Sequence, residues 1–255
     1  MLRRAEIIGN ALRIVEQLDR PLYVSVNKAL EALGGKWDRK ARAHLFSEPP
    51  ANAIAKAITT EEVIRPQDEG FFPTPAVITL RMAQLAKLKP GMSILEPSAG
   101  DGAIASWLVR NIPGLRLVLV ELNPSRHAIL VKGGFRAICG DFIAMNPKAL
   151  GRFDRVVMNP PFQGQLDLVH VKHAFEFLRP GGRLVSILAA GVDFRENRLT
   201  NEFRTWVKKL KGQILPLPPN SFKASGTAVN TAILVIDKPA PKPTSKRKAK
   251  SRRKR

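Results

Sequence analysis

The residues best suited to chemistry fall in four short blocks. In the first, Ile94-Leu-Glu-Pro-Ser-Ala-Gly-Asp-Gly-Ala103, an apolar run gives way to a turn with glycines at 100 and 102, and a helical pattern follows. Glycine there lets the backbone approach a ligand closely, and the N-terminus of the helix adds the positive end of its dipole. Glu121 closes the next apolar run about twenty residues on, where a carboxylate can accept both hydroxyls of a ribose. Gly140-Asp-Phe142 follows a third run; Asp141 there either bonds an adenine amino group or caps a turn. The last block is Val156-Val-Met-Asn-Pro-Pro-Phe162, an apolar strand ended by Asn, two prolines and an aromatic. Proline cannot donate to a sheet ladder and restricts the residue before it. The result is a stiff loop that holds Asn159 at the carboxyl edge of the sheet, where open α/β sheets bind ligands. A dinucleotide-linked dehydrogenase would account for the first three blocks and leaves 159–162 unexplained.

These blocks need a frame to position them. Residues 71–238 alternate short apolar runs with helical patterns, as a mostly parallel sheet covered by helices requires. Strands are predicted at 93–96, 115–121, 136–139, 155–158, 183–188, 213–217 and 231–236, with helices at 76–88, 103–111, 126–132, 169–178 and 195–210. The last two strands have no helix between them and should pair antiparallel. Residues 1–70 read as a helical, basic extension: Ile7, Ile8, Ala11, Leu12, Val15 and Leu18 recur at helical spacing, and a second helix covers 24–33 until Gly34-Gly35 stops it. The basic stretch 36–46 follows, with Trp37 and Phe46 near its ends. Residues 239–255, rich in Pro, Lys and Arg, cannot bury a core and are expected to be disordered.

Composition narrows the partners. Forty-two Lys and Arg against twenty-one Asp and Glu give a formal charge of +21 in 255 residues. Ten basic residues lie in 238–255, and removing them still leaves +11. Such an excess is compensated by a polyanion. No apolar run approaches the roughly 20 residues that span a bilayer, and no signal-peptide pattern opens the chain; a cytoplasmic location is the expectation. Cys139, the single cysteine, excludes an internal disulfide and reads as a buried thiol on a strand. His44, His127, His170 and His173 show no metal-ligand spacing, so no metal is expected; they read as solvated or core histidines.

Taken in order, Phe71-Phe-Pro-Thr-Pro75, Leu95-Glu-Pro-Ser-Ala-Gly-Asp-Gly102, Val120-Glu-Leu-Asn-Pro124, Gly140-Asp-Phe142 and Asn159-Pro-Pro-Phe162 resemble the motifs of class I amino-methyltransferases. The order is similar to that of the gamma group of DNA adenine-N6 methyltransferases. The later stretch Pro219-Asn-Ser-Phe-Lys-Ala-Ser-Gly-Thr227 and the strand after it look like the closing loop and strand of this group. The resemblance covers about residues 70–238. It implies an α/β, Rossmann-like fold with seven strands, the last antiparallel, and S-adenosyl-L-methionine as cofactor. Carried over to matching positions, Phe72, Thr74 and Pro75 lie against the methionine part, with Glu96, Pro97, Ser98, Gly100 and Gly102 around it. Glu121 holds the ribose, Leu122 packs on the cofactor adenine, Asp141 bonds its amino group and Phe142 adds apolar contact.

On this resemblance, Asn159, Pro160, Pro161 and Phe162 are the catalytic segment. An exocyclic amine is a poor nucleophile because its lone pair is delocalised into the ring. Two acceptors on its N–H bonds, the Asn159 side-chain oxygen and the Pro160 carbonyl, favour a more tetrahedral nitrogen and aim it for in-line transfer. Phe162 stacks on a base flipped out of its helix. Gamma-type enzymes normally carry a large target-recognition domain after the catalytic one. Here about seventeen residues follow the last strand, so low or short sequence specificity is expected, as in orphan or phage-type enzymes. Affinity should come mainly from phosphate contacts. Lys36, Trp37, Arg39, Lys40, Arg42 and Lys223 are the candidate nucleic-acid contacts, with a solvated hairpin packed by Trp37 and Phe46 as the bland alternative for 36–46. DNA is favoured over RNA; cytosine N4, ribosomal RNA, a protein glutamine amide and an inactive binding protein are the competing targets or roles.

Overall fold

A computed structural model describes residues 5–60, 72–225, 227 and 229–240. The larger part of the chain is built on a seven-stranded sheet. Its strands in chain order are β5 (Ser93–Pro97), β6 (Arg116–Glu121), β7 (Ala137–Cys139), β8 (Phe153–Met158), β9 (Leu178–Ala189), β10 (Gln213–Pro216) and β11 (Thr231–Asp237). Across the sheet they run β10-β11-β9-β8-β5-β6-β7. β11 is antiparallel to both neighbours, and the pairs from β9 to β7 are parallel. All seven predicted strands are present, the closing antiparallel pair included.

Both faces of this sheet are buried, which is why its strands read as unbroken apolar runs. Because side chains alternate, Leu95, Val156 and Leu184 face one way and Ile94, Val157 and Val185 the other. The first set packs with Val171, Ala174 and Phe175 of helix α7 (Leu166–Glu176) and Phe203 and Val207 of α8 (Arg198–Lys209). The second set packs with Ile78, Met82 and Ala86 of α3 (Ala76–Ala86) and Ile104 and Leu108 of α4 (Ala103–Asn111). Each such fully buried side chain contributes about 1.5–3 kcal/mol. Helix α5 (Pro124–Lys132) covers the β6–β7 edge through Leu130, capped by Asn123, whose side chain accepts from the Ser125 and Arg126 amides.

Three expectations are corrected. The stretch holding Ile7, Ile8, Ala11 and Leu12 is a hairpin, β1 (Glu6–Ile8) and β2 (Ala11–Arg13), and no helix covers it. Ile7 pairs with Leu12 and Ile8 with Ala11 across a two-residue Gly9-Asn10 turn, with Gly9 at φ +59°. Apolar residues facing each other across so short a turn are separated by helical intervals in sequence, which is how the pattern misleads. With β3 (Lys36–Asp38) and β4 (Ala43–Leu45) these strands form a second, antiparallel sheet ordered β1-β2-β4-β3. The predicted helix at 24–33 is present as α1 (Arg20–Ala32), which begins earlier because Asp19 caps it. Helix α1 and α2 (Ala51–Thr60) close a small core of Leu12, Val26, Leu30, Phe46 and Ile54. Residues 5–60 therefore form a mixed α/β module. Second, Cys139 is exposed: it ends the three-residue edge strand β7, whose outer side has no neighbour. Third, α7 begins at Leu166, ahead of the predicted start. The boundary at 70/71 and residues 241–255 of the basic tail lie outside the described residues.

Candidate active site

The chain lays down β5, β6 and β7 outward from the middle of the sheet, then returns to place β8 on the other side of β5. The carboxyl ends of β5 and β8 therefore flank the point where strand order reverses, the place where an open α/β sheet leaves a crevice. A cavity of about 400 Å³ lies there, within the range of small-molecule sites. Phe72, Thr74, Glu96, Ser98, Gly100, Glu121, Leu122, Asp141, Phe142, Asn159 and Pro161 all line it, so the four separated blocks meet as expected. Pro75, Pro97, Gly102, Pro160 and Phe162 do not line it.

The turn after β5 is held in shape by Glu121. Its Oε2 accepts from the Gly100 amide at 2.8 Å, and its Oε1 accepts from the Asn123 amide at 2.8 Å and from Arg126 Nε at 3.0 Å. A carboxylate offers about four acceptor positions, and three are used. Accepting two ribose hydroxyls, as the sequence suggests, therefore requires Arg126 or a backbone amide to yield. Gly100 and Gly102 have φ of +61° and +84°, the left-handed region glycine favours. At Gly102 a Cβ would also meet Leu130 Cδ2 at 2.7 Å. Ser98 occupies the same region at φ +61°, and its hydroxyl lies 3.1 Å from His170 Nδ1.

Asp141 does what the bland alternative requires, accepting from the Ile143 amide at 2.9 Å to cap a short 3-10 turn. It also lines the cavity, so both readings of this residue remain compatible with its place. Leu122 is 65% exposed, an apolar side chain that lines the cavity. Phe142 is buried against His170, His173 and Phe177.

The far wall is Asn159. Its side-chain nitrogen donates to the Phe72 carbonyl and to Thr74 Oγ1, each at 3.1 Å. Its Oδ1 is buried and has no partner. Buried polar atoms are nearly always paired, and an orphaned acceptor on a cavity wall marks where a donor belongs. The segment 72–75 is fixed in turn by Ser225, whose hydroxyl donates to the Pro73 carbonyl at 2.6 Å. This ties the stretch before α3 to the loop before β11. Phe162 is half-buried against the apolar cluster that includes Leu217 and Phe222. Its ring is thus held in the packing beside the cavity, where the sequence placed it against a base.

Five functional candidates escaped the sequence reading. Asp101, Arg126, Leu166, Val169 and His170 line the cavity. The last three share one face of α7 at i, i+3 and i+4; that spacing is visible in sequence, but which face meets the cavity is not. Burial, with repulsion from Asp101 next, pushes the Glu96 carboxyl well above the usual carboxylate range. Its Oε2 has no partner. Burial likewise raises Asp101. Burial takes His170 down to about 4 despite the attraction of Asp141, so the imidazole is neutral at physiological pH. The N-terminal module reaches this corner as well. Asn52 donates to Ser125 Oγ at 2.8 Å, and half-buried Glu48 is raised by burial and by Asp101 while feeling Arg126 and Glu121. No group of three His, Cys, Asp or Glu able to hold a metal occurs among the described residues. No described helix is long and apolar enough to cross a membrane.

The methyltransferase small domain family matches residues 79–213, more than half of the chain. The chain belongs to this family. The methyltransferase is also similar to solved structures over its sheet and helices. One is described as a class I S-adenosylmethionine-dependent methyltransferase from Listeria monocytogenes (14% identity, TM-score 0.55, 76% of this chain and 68% of that one). Another is a type I restriction enzyme modification subunit from Vibrio vulnificus (16%, 0.56, 74% of this chain and 49% of that one). A third is the 23S rRNA methyltransferase ErmE (19%, 0.51, 67% and 70%). This chain thus spans about half the length of the Vibrio subunit. No curated protein matches the methyltransferase. The family and the fold make it an S-adenosylmethionine-dependent methyltransferase. The cavity fits that cofactor: an unpartnered Glu96 oxygen suits an ammonium group, Glu121 retains an acceptor for a ribose, and Leu122 offers an exposed apolar face. Thr74 lies outside the matched span yet bonds Asn159 inside it, so the family boundary does not bound the site.

Proposed function

We propose that this methyltransferase methylates the exocyclic N6 amine of adenine in DNA, with little sequence discrimination. The observation that carries the reading is the Asn159 side chain, whose nitrogen is committed to Phe72 and Thr74 and whose oxygen is free on the cavity wall. The two bonds fix the amide so that it presents an acceptor, which an aromatic amine needs and a hydroxyl or carboxylate substrate does not. Two nucleic-acid enzymes by description, the modification subunit and the rRNA methyltransferase, share the fold, and the +21 charge suits a polyanion.

When bound, the sulfonium supplies a methyl group activated for transfer. Asn159 Oδ1 accepts one N–H of the target amine, concentrating the lone pair on nitrogen; Pro160, the second acceptor that the resemblance implies, is buried and does not line the cavity. Pro161, on the wall beside Asn159, keeps water from the approach. On taking the methyl group in place of the sulfur, the amine nitrogen would gain positive charge, and one of its protons would then leave for water. No general base is required beforehand, in keeping with the neutral, buried His170.

The test is incubation of the full chain with labelled S-adenosylmethionine and, separately, duplex DNA, single-stranded DNA, ribosomal RNA and protein, followed by mass spectrometry of the digested nucleosides. N6-methyladenine in DNA, absent with Asn159→Ala, is the expected result. Label only in RNA or as N4-methylcytosine would keep the amine chemistry and overturn the substrate; label only in protein would overturn both.

A further inference from the structure

The β3–β4 hairpin carries a concentrated positive charge outside the cavity. Lys36, Arg39, Lys40 and Arg42 are all exposed, and the turn holds no acidic residue except Asp38. That carboxylate is occupied, accepting from the Ala41 amide at 2.8 Å. Arg13 closes the turn from the neighbouring strand, donating to the Ala41 carbonyl at 3.2 Å. Arg39, Lys40 and Arg42 therefore project from a stapled turn with a fixed backbone, and Lys36 from the far end of β3. Trp37, 46% exposed, stands at their base, edge-on to His44 at 5.1 Å. His44 is itself bonded to Asn27 of α1 at 2.8 Å, which ties the ring to the module's core.

The hairpin is also anchored to the active site. Five residues separate Ala43, at the turn end of β4, from Glu48, which lies near Arg126 and Asp101 at the cavity corner. An extended chain covers at most about 3.6 Å per residue, so the Ala43 end of the hairpin stands within roughly 18 Å of Glu48. The Asn52–Ser125 bond fixes the module on α5.

We propose that this hairpin is the nucleic-acid grip of the enzyme, with Lys36, Arg39, Lys40 and Arg42 holding backbone phosphates of the strand that feeds the cavity. The inference rests on the nucleic-acid reading of the site. Phosphate contacts position without reading sequence, which accounts for a small enzyme binding tightly with little discrimination.

The test uses the full chain. Acetylation of Lys36 and Lys40 is followed by mass spectrometry alone, with a DNA duplex, with an RNA of the same sequence and with anionic phospholipid vesicles. In parallel, the salt dependence of duplex binding is compared between wild type and Arg39→Gln/Lys40→Gln/Arg42→Gln. Protection of both lysines by nucleic acid is expected, with the log-affinity against log-salt slope shallower by about 0.9 per lost contact. Cofactor affinity should not change, because none of the three side chains lines the cavity. Protection by vesicles alone, or by nothing, overturns the proposal, and this readout needs no variant to fold. Methylated DNA with unprotected lysines would sink the grip and leave the function standing; protected lysines with no methylated nucleoside would do the reverse.

Discussion

Replacing Asn159 by Ala removes two things that the structure separates. The side-chain nitrogen holds Phe72 and Thr74 through two bonds of 3.1 Å, each worth about 0.5–1.5 kcal/mol net, so folding stability should fall by about 1–3 kcal/mol. The oxygen has no partner until a substrate arrives, so its loss is felt only as the amine gains positive charge. Removing one such preorganised group costs about 10²–10³ in kcat. Thr74→Val separates the terms: it deletes one of the two orienting bonds and keeps the oxygen. A loss of about 1 kcal/mol in orientation lowers kcat roughly fivefold. Asn159→Asp keeps an acceptor but opposes a carboxylate to the Phe72 carbonyl, and should fall between the two. Single-turnover rates at saturating nucleic acid and cofactor, with cofactor Kd measured separately by calorimetry, distinguish these cases. The expected ranking is wild type, Thr74→Val, Asn159→Asp, Asn159→Ala, at unchanged cofactor Kd. An Asn159→Ala enzyme that keeps more than about a tenth of kcat, or whose loss is wholly one of cofactor affinity, would refute the assignment of the free oxygen to the amine.

Other outcomes follow from the same geometry. Gly102→Ala forces a side chain into φ +84° with its Cβ 2.7 Å from Leu130; a loss of about 2–4 kcal/mol, from αL strain plus overpacking, is expected in denaturant unfolding. His170 is neutral in the fold with its pKa down to about 4, against 6.5 unfolded. The unfolded chain therefore takes up the proton first, and about 3 kcal/mol of stability is lost as pH falls from 6.5 to 4. His170→Gln should flatten that part of the stability profile. Glu96 and Asp101 are raised by burial, so they hold protons above the ordinary carboxylate range. A cationic ligand binds better when they ionise. Affinity for S-adenosylmethionine and for S-adenosylhomocysteine, which share the ammonium group, should therefore both rise with pH through that region, as calorimetry would show.

The sequence alone determined the catalytic sheet. Its strands are buried on both faces, so each appears as an apolar run bounded by Gly, Pro or Asn, and the absence of a helix between 213–216 and 231–237 specified their antiparallel pairing. It also indicated which blocks meet at the cavity, because ligands collect at the carboxyl ends of parallel strands and the blocks carrying Gly100, Glu121, Asp141 and Asn159 all follow such strands. Tertiary structure decided the rest. Short strands of an antiparallel module carry too few residues to show a period of two, and Ile7, Ile8, Ala11 and Leu12 therefore imitate a helix. Cys139 reads as core from its neighbours, but exposure depends on whether a further strand pairs with β7, and among the described residues none does. Phe162 and Asn159 are three residues apart, yet one is packed beside the cavity and the other lines it, since the turn after Pro160 sends them to different surroundings. Above all, the commitment of the Asn159 nitrogen to Phe72 and Thr74, 87 and 85 residues earlier, leaves no trace in local sequence. Hydrogen bonds at that separation exist only once the sheet has brought the two segments together, and they decide which end of the amide is left without a partner.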